Sequence, residues 1–104
     1  MPDAGGKRII IVCTFGAGSS QLLKMNVDNA LRELGVTNVI VEVSDSGSFK
    51  GTPCDGIICD IPHAEIVKGH PKAKASVAVK GIFDKADIKA KVRLLLEQLG
   101  VQFD

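Results

Sequence analysis

The chain has 104 residues, with 13 Lys or Arg, 12 Asp or Glu and a formal net charge of +1. This length predicts a single domain over residues 1–104, and the interspersed charges leave no basic stripe for nucleic acid or an anionic membrane surface. With no Trp, no Tyr and four Phe, the chain also lacks the aromatic platforms on which single-stranded nucleic acids stack, so we expect no nucleic-acid partner.

The first predicted element is a strand from Arg8 to Cys13, preceded by a flexible lead of residues 1–6. Its apolar residues follow one another without alternation and are mostly β-branched, which is typical of a strand covered on both faces. The run is too short to span a membrane, and no apolar signal region precedes it. Three cysteines without zinc-type spacing fit a reducing compartment. We therefore expect a cytoplasmic protein without direct membrane insertion, metal or cofactor.

A helix is predicted from Ser19 to Leu34, because apolar residues recur there at steps of three and four. The residues that form this stripe are Leu22, Leu23, Val27, Ala30, Leu31 and Leu34. Gly35 is placed where a helix C-terminus favours glycine. The following strand, Val39 to Val43, contains Glu42, which indicates an edge position, and a polar loop continues from Ser44 to Pro53.

Strands and helices continue to alternate in the second half of the chain. The predicted elements are a strand at Asp55–Asp60, a short helix between Pro62 and Gly69, a strand at Ala75–Val79 and a helix at Asp84–Leu99, ended by Gly100. Such alternation requires parallel pairing with right-handed crossovers. The sequence thus predicts a three-layer αβα sandwich with a four-stranded parallel sheet in the order 2-1-3-4.

The most informative segment is a P-loop-like turn that begins at Cys13, at the end of the first strand. A strand that passes through two glycines into a helix directs backbone N–H groups and the positive end of the helix dipole towards one point. This field favours phosphate and also favours a thiolate over a thiol, so Cys13 is the candidate nucleophile. The candidate phosphate-binding residues are Thr14, Phe15, Gly16, Ala17, Gly18, Ser19 and Ser20.

Other classes of glycine-rich turn require particular residues that this segment lacks. A Walker A motif needs Gly-Lys-Ser/Thr, whereas Gly18 is followed by Ser19. A dinucleotide-binding turn needs a third Gly or Ala, whereas Gln21 stands there. A cysteine phosphatase requires an Arg at the position of Ser19 to grip the phosphate. A phosphatase-like enzyme nevertheless remains the enzymatic alternative to a carrier that holds a transferable phosphocysteine.

The pattern Cys13-x-x-Gly16-x-Gly18-Ser19-Ser20-x-x-x-Lys24-Met25-x-Val27 resembles the cytoplasmic IIB component of the sugar phosphotransferase system. The L-ascorbate type is the best match and the galactitol type the next. The resemblance implies that Cys13 receives a phosphoryl group from a phosphohistidine of the IIA component. It also implies transfer of this group to a sugar, L-ascorbate, bound in the IIC membrane component. A IIB-like module that reports phosphorylation to a transcriptional regulator is the non-enzymatic alternative.

Several other residues receive simpler interpretations. Cys54 and Cys59 are assigned to packing, because neither begins a glycine-rich turn. His63 is interpreted as a surface histidine, with contact to the phosphate as the alternative, and His70 as a loop residue. Lysines 85, 89 and 91 of the last helix are assigned to a solvated face. Phe15 and the loop of residues 44–53 are the candidate partner contacts.

Overall fold

The structure is a computed structural model that describes residues 3–12, 16–44, 51, 53–61, 64–70, 73–81 and 84–101. Its elements in chain order are β1 (Asp3–Val12), α1 (Gly16–Glu33), β2 (Thr37–Ser44), β3 (Gly56–Asp60), α2 (Ala64–Val67), β4 (Ala75–Val79) and α3 (Lys85–Gln98). All four predicted strands and all three predicted helices are present.

The four strands form one parallel sheet in the order β2-β1-β3-β4, as predicted. The register pairs Val12 of β1 with Ser44 of β2 and with Cys59 of β3. Strand β2 lies at an edge, where Glu42 is partly exposed and its carboxylate lies 3.5 Å from Nε of Arg8. The carboxyl ends of all four strands therefore meet at one end of the sheet.

Strand β1 supplies the centre of the core on both faces of the sheet. Its residues Ile9 to Val12 are completely buried. Because side chains alternate along a strand, Ile9 and Ile11 enter a larger apolar cluster, whereas Ile10 and Val12 enter a smaller one. The prediction of a central strand covered on both faces is confirmed.

The helices cover both faces of the sheet and complete the three layers. Leu23 and Val27 of α1 pack in the larger cluster together with Ile88 and Leu95 of α3. On the opposite face, Val67 of the short helix α2 packs in the smaller cluster. Ile9 and Ile11 of β1 thus pack on the face that α1 covers, and α1 is the helix that follows β1 in the chain.

The glycines predicted to end α1 and α3 are present at their C-terminal ends, and α3 also has an N-cap that was not predicted. Gly35 has φ +73° and Gly100 has φ +77°, a left-handed conformation that favours glycine. After α1, the N–H of Val36 donates to the carbonyl of Leu31 at 3.1 Å, which closes the helix as a Schellman motif does. At the start of α3, Asp84 accepts the N–H of Asp87 at 3.0 Å as an N-cap.

Three boundary or burial predictions were wrong. Strand β1 begins at Asp3 instead of Arg8, because the backbone of Asp3 pairs with Thr37 of β2 beyond a register shift. Residues 3–6 of the predicted flexible lead therefore belong to the strand, while residues 1 and 2 lie outside the described residues. Helix α1 begins at Gly16 instead of Ser19. Leu22 is 40% exposed, because it lies beside the buried stripe of α1 and not within it.

Candidate functional site

The segment that carries the candidate nucleophile lies between two well-defined elements. Strand β1 ends at Val12 and helix α1 begins at Gly16. Cys13, Thr14 and Phe15 lie between them, outside the described residues, so their assignment as nucleophile and phosphate-binding residues stays a prediction. The chain thus passes from the central strand to the first helix within three residues.

The other predicted phosphate-binding residues form the beginning of α1. Gly16, Ala17, Gly18, Ser19 and Ser20 are its first five residues. The first N–H groups of an α-helix have no acceptor within the helix, and the helix dipole places a partial positive charge beside them. The first turn of α1 contains no acidic residue that could neutralise this charge. The start of α1 can therefore accept an anion through backbone donors.

Asp60 lies at the same end of the sheet and was missed by the sequence analysis as a site residue. It is the last residue of β3 and is 5% exposed. It follows Cys59, the register partner of Val12, and pairs with Val79 of β4. The sequence signal that could have identified it is an acidic residue that closes an apolar strand.

Asp60 belongs to the face of the sheet that α1 and α3 cover. Ile58 lies two residues before Asp60 on β3, and Val79 is the register partner of Asp60 on β4. Both Ile58 and Val79 lie in the larger cluster, which these helices complete. Residues two apart on a strand share a face, as do laterally paired residues of a parallel sheet. The structure therefore places a buried carboxyl group on the α1 face, at the carboxyl end of the sheet.

The start of α3 adds a second acidic side chain at this end. Asp87 accepts the N–H of Lys80 at 2.8 Å, and its other oxygen lies 3.3 Å from Nζ of Lys91. The hydrogen bond from Lys80, followed by the contact with Lys91, lowers the pKa of Asp87. Its charge is thus compensated within the α3 start and the β4–α3 connection.

The lysines of α3 are only partly a solvated face. Lys89 reaches Glu33 of α1 at 3.2 Å, and Lys91 contacts Asp87 within its own helix. Lys85 is exposed. The prediction was therefore incomplete, because the ion pair between α1 and α3 depends on tertiary packing that periodicity does not reveal.

Only some of the remaining residues that the sequence analysis singled out lie in the described part of the chain. His63 and Phe15 lie outside the described residues, as do residues 45–50 and 52 of the predicted contact loop. Lys24 forms an ion pair with Asp28 at 3.0 Å, and Met25 is 59% exposed, so both lie on the outer surface of α1.

Cys54 and His70 form a buried pair near the opposite end of the sheet. Sγ of Cys54 lies 3.6 Å from Nε2 of His70, and the exposed fractions of the two residues are 8% and 6%. Burial, reinforced by the charge of Asp55, raises the pKa of Cys54 to about 11. Cys54 is therefore a packed thiol with little thiolate at neutral pH, which agrees with its predicted packing role.

His70 lies in a loop, as predicted, and the packing role predicted for Cys59 is confirmed. The sequence did not predict that His70 is buried or that its Nδ1 accepts the N–H of Ala73 at 3.0 Å. Cys59 is fully buried and its S–H donates to the carbonyl of Val77 at 3.4 Å. No sequence spacing predicted the pairing of Cys54 with His70, because it joins residues 16 apart through the fold.

A cleft of about 380 Å³ adjoins Cys54 at this amino end of the sheet, and it is lined by Gly6, Arg8, Pro53, Cys54 and Asp55. Among the residues that the structure describes, no three His, Cys, Asp or Glu side chains are grouped so that they could hold a metal ion. Within the same residues, no helix is both long and apolar enough to cross a membrane.

Comparison with known proteins places this chain in a family. Residues 8–94 match the family described as "PTS system, Lactose/Cellobiose specific IIB subunit". The chain belongs to the IIB family of the sugar phosphotransferase system, so it is a phosphotransferase-system component. The resemblance that the Cys13 motif indicated is therefore confirmed at the level of the family.

A relative and a solved structure agree with this assignment. The chain is 34% identical over 90 residues to the "Ascorbate-specific PTS system EIIB component" of Mycoplasma pneumoniae, covering 85% of this chain and 93% of the relative. The lactose-specific IIB component domain from Streptococcus pneumoniae superposes with a TM-score of 0.59 over 88% of this chain and 96% of that one. At 15% identity, the second comparison supports the fold alone.

Proposed function

We propose that this chain is a phosphocysteine carrier, in which Cys13 takes a phosphoryl group from a phosphohistidine of a IIA component and passes it to a sugar bound in a IIC component. The observation that supports this proposal most directly is the start of α1 at Gly16, immediately after the segment that follows Val12. In this proposal residues 1–104 act as one IIB domain on the cytoplasmic side of the membrane.

The first transfer forms a sulfur–phosphorus bond and breaks a nitrogen–phosphorus bond. The thiolate of Cys13 attacks the phosphorus in line, and the donor imidazole leaves as the neutral base once it is protonated. Negative charge on the phosphoryl oxygens is spread in the transition state, and positioned backbone N–H groups stabilise such charge without reorganisation. Residues 14–20 supply these donors in the proposed cradle.

The second transfer reverses the roles of the groups. A sugar hydroxyl oxygen attacks the phosphorus, the sulfur–phosphorus bond breaks, and the thiolate of Cys13 is the leaving group. The hydroxyl proton passes to a base of the acceptor site or to water. A thiolate stabilised by the start of α1 leaves more readily than a thiolate in an apolar pocket.

We propose L-ascorbate as the sugar. This proposal is supported by the Mycoplasma pneumoniae relative, which is named as ascorbate-specific and shares 34% of its residues over most of both chains. The description of the matched family names lactose and cellobiose instead. The identity of the sugar is therefore tested separately from the formation of the phosphocysteine.

The phosphocysteine is tested by phosphorylation with phosphoenolpyruvate, the general phosphotransferase proteins and an ascorbate-type IIA component. We expect the intact mass to increase by one phosphoryl group, mapped to Cys13. Cys13→Ser should accept none, whereas Cys54→Ala and Cys59→Ala, matched controls for a lost buried thiol, should be labelled normally. Label on the Cys13→Ser variant would contradict the proposed carrier.

The sugar is tested by presenting the phosphorylated chain to membrane vesicles that contain either an ascorbate-type or a lactose-type IIC component. We expect loss of the label with the first vesicles in the presence of L-ascorbate, and retention with the second in the presence of lactose. Transfer to lactose alone would contradict the assignment of the sugar and leave the phosphocysteine unaffected.

A further inference from the structure

Strand β2 forms one edge of the sheet and lacks the features that usually protect an edge strand. Among the strands that the structure describes, it pairs with β1 alone. Lysine, proline and short length discourage an edge from pairing with another chain. The opposite edge, β4, has five residues and lies between the exposed Lys74 and Lys80. Strand β2 has eight residues, four of them Val or Ile, and contains no lysine or proline. Its free edge is therefore suited to a further strand.

Ile40 is the apolar side chain that such a strand would cover. It is 41% exposed and is the only large, exposed apolar residue within a strand of the described part of the chain. The one charged residue of β2, Glu42, shares a face of the sheet with Ile40, and its carboxylate lies 3.5 Å from Nε of Arg8 on β1. Because Arg8 compensates this charge within the chain, a strand added along β2 would meet apolar surface with little net charge.

Helix α1 adds a polar part to the same surface. It packs on β1 and β2, whereas α3 packs on β4. The side of α1 towards α3 carries Asn26 and Glu33, which line a groove with Lys89. Lys24 and Asp28, paired at 3.0 Å, each stand two positions from Asn26, about 200° around the helix. They therefore lie on the side of α1 towards the free edge of β2.

Lys24, Asp28 and Ile40 lie at similar heights along the sheet. Helix α1 runs back from the end of β1 to the start of β2, and its last residue, Glu33, shortly precedes Thr37. At 1.5 Å per helical residue, Lys24 and Asp28 lie about 7–14 Å from Glu33. At about 3.3 Å per strand residue, Ile40 lies about 10 Å from Thr37. Ile40 is thus level with the midpoint between Lys24 and Asp28.

We propose that the β2 edge binds a second copy of this chain, with the two β2 strands antiparallel about a two-fold axis at Ile40. The two Ile40 side chains then pack together, and Glu42 stands opposite Asn38, so like charges do not meet across the strands. Lys24 of each copy faces Asp28 of the other, because the axis is level with their midpoint. The surface is therefore self-complementary, as a two-fold interface requires.

Sedimentation equilibrium of the full, unphosphorylated chain over a range of concentrations tests this interface. The parent should approach twice the mass of one chain as its concentration rises. Ile40→Lys places two like charges at the axis and should raise the dimer dissociation constant by about tenfold or more. Ile66→Lys is the matched control, because Ile66 is 48% exposed but lies on α2. This variant should associate as the parent does.

Charge exchange distinguishes contacts between the copies from contacts within one copy. Lys24→Glu and Asp28→Lys each place like charges across the axis, so each variant alone should dimerise about fivefold more weakly than the parent. An equimolar mixture of the two should form the mixed dimer preferentially, because every pair across the axis is then of opposite sign. The charges within each helix remain of like sign in the mixture, so mixing would not restore an effect confined to one chain.

A parent that stays monomeric at every concentration would overturn the inference and leave the β2 edge to a strand of another protein. A dimer that neither Ile40→Lys nor the charge exchanges affect would also overturn it, because the interface would then lie elsewhere. Circular dichroism checks that each variant is folded, and the charge exchanges decide if Ile40→Lys is not. Phosphoryl transfer to Cys13 is measured separately, so neither result bears on the proposed function.

Discussion

Sγ of Cys54 lies 3.6 Å from Nε2 of His70, and this contact joins the segment before β3 to the segment after α2. Nδ1 of His70 accepts the N–H of Ala73, so in the neutral ring the proton is assigned to Nε2, which faces the sulfur. The imidazole is therefore oriented as a donor to Cys54 and not as its base. The pair closes the amino end of the smaller apolar cluster.

Cys54 should be almost inert towards alkylation. Its pKa of about 11 lies two units above the ordinary value of 9.0, so its thiolate fraction at pH 7 is about a hundredfold lower than that of an ordinary thiol. We expect iodoacetamide to label Cys13 first and Cys54 more slowly than a model thiol between pH 6 and pH 8. Peptide mapping by mass spectrometry measures the three rates. Equal labelling of Cys54 and Cys13 in the folded protein would contradict this prediction.

Loss of the His70 side chain should destabilise the fold. His70→Ala leaves the N–H of Ala73 without its acceptor and creates a cavity beside Cys54, at a cost of about 2–3 kcal/mol. His70→Asn is the matched variant, since an amide oxygen can replace Nδ1 as acceptor, and it should cost less. Urea denaturation of the two variants checks the order. If His70→Ala were as stable as the parent, the buried contacts of His70 would not contribute to the stability of the fold.

The fold could be predicted from the sequence because its elements are defined by local patterns. The isoleucines of β1 and the final glycines of α1 and α3 identified these elements directly. The start of β1 at Asp3 could not be predicted, because the extension depends on backbone pairing with β2 and not on apolar side chains. Leu22 was assigned to the core because the spacing of apolar residues on a helix does not show which residues at the margin of the apolar stripe are buried.

The candidate site likewise has one part that could be predicted from the sequence and another part that could not. The Cys13 turn is local in sequence, so its chemistry could be proposed from the residue order alone. Asp60 and the Cys54–His70 pair are produced by register and by packing between distant segments. Hydrophobic periodicity predicts whether such a residue lies in a strand or a loop, but it does not predict which side chains the residue contacts.

Asp87 should make stability depend on pH in the acid range. The bond from the N–H of Lys80 lowers its pKa, so the folded state favours the ionised form. The resulting stability is fully present above the ordinary Asp pKa of 3.8 and is lost as the pH falls through the lowered folded-state pKa. We expect Asp87→Asn to be about 1 kcal/mol less stable than the parent at pH 7 and equally stable well below pH 3.8.

The measurement is the midpoint of urea denaturation at a series of pH values. Glu65→Gln is the control, because the pair of Glu65 with Lys68 is exposed and contributes little. A stability difference for Asp87→Asn that is independent of pH would contradict the assigned role of its charge.

Gly56 should tolerate no larger residue without loss of stability, because β3 and α3 approach closely there. A Cβ at Gly56 would lie 3.0 Å from Cδ1 of Leu95 and 3.2 Å from Cδ1 of Leu99. Leu95 is fully buried, so its side chain has little space to move. We expect Gly56→Ala to lower the free energy of unfolding by about 1–2 kcal/mol, although the reduced entropy of the unfolded chain offsets part of the strain.

Gly81→Ala is the matched control, because a Cβ there meets nothing within 4 Å, and its stability should change by less than about 0.5 kcal/mol. The crowding is tested further with Leu95→Val, which shortens the side chain that Gly56→Ala would meet. If crowding is the cause, Gly56→Ala should cost less in the Leu95→Val background than in the parent, as a double-mutant cycle measures. Strictly additive losses would contradict crowding against Leu95 as the cause of the destabilisation.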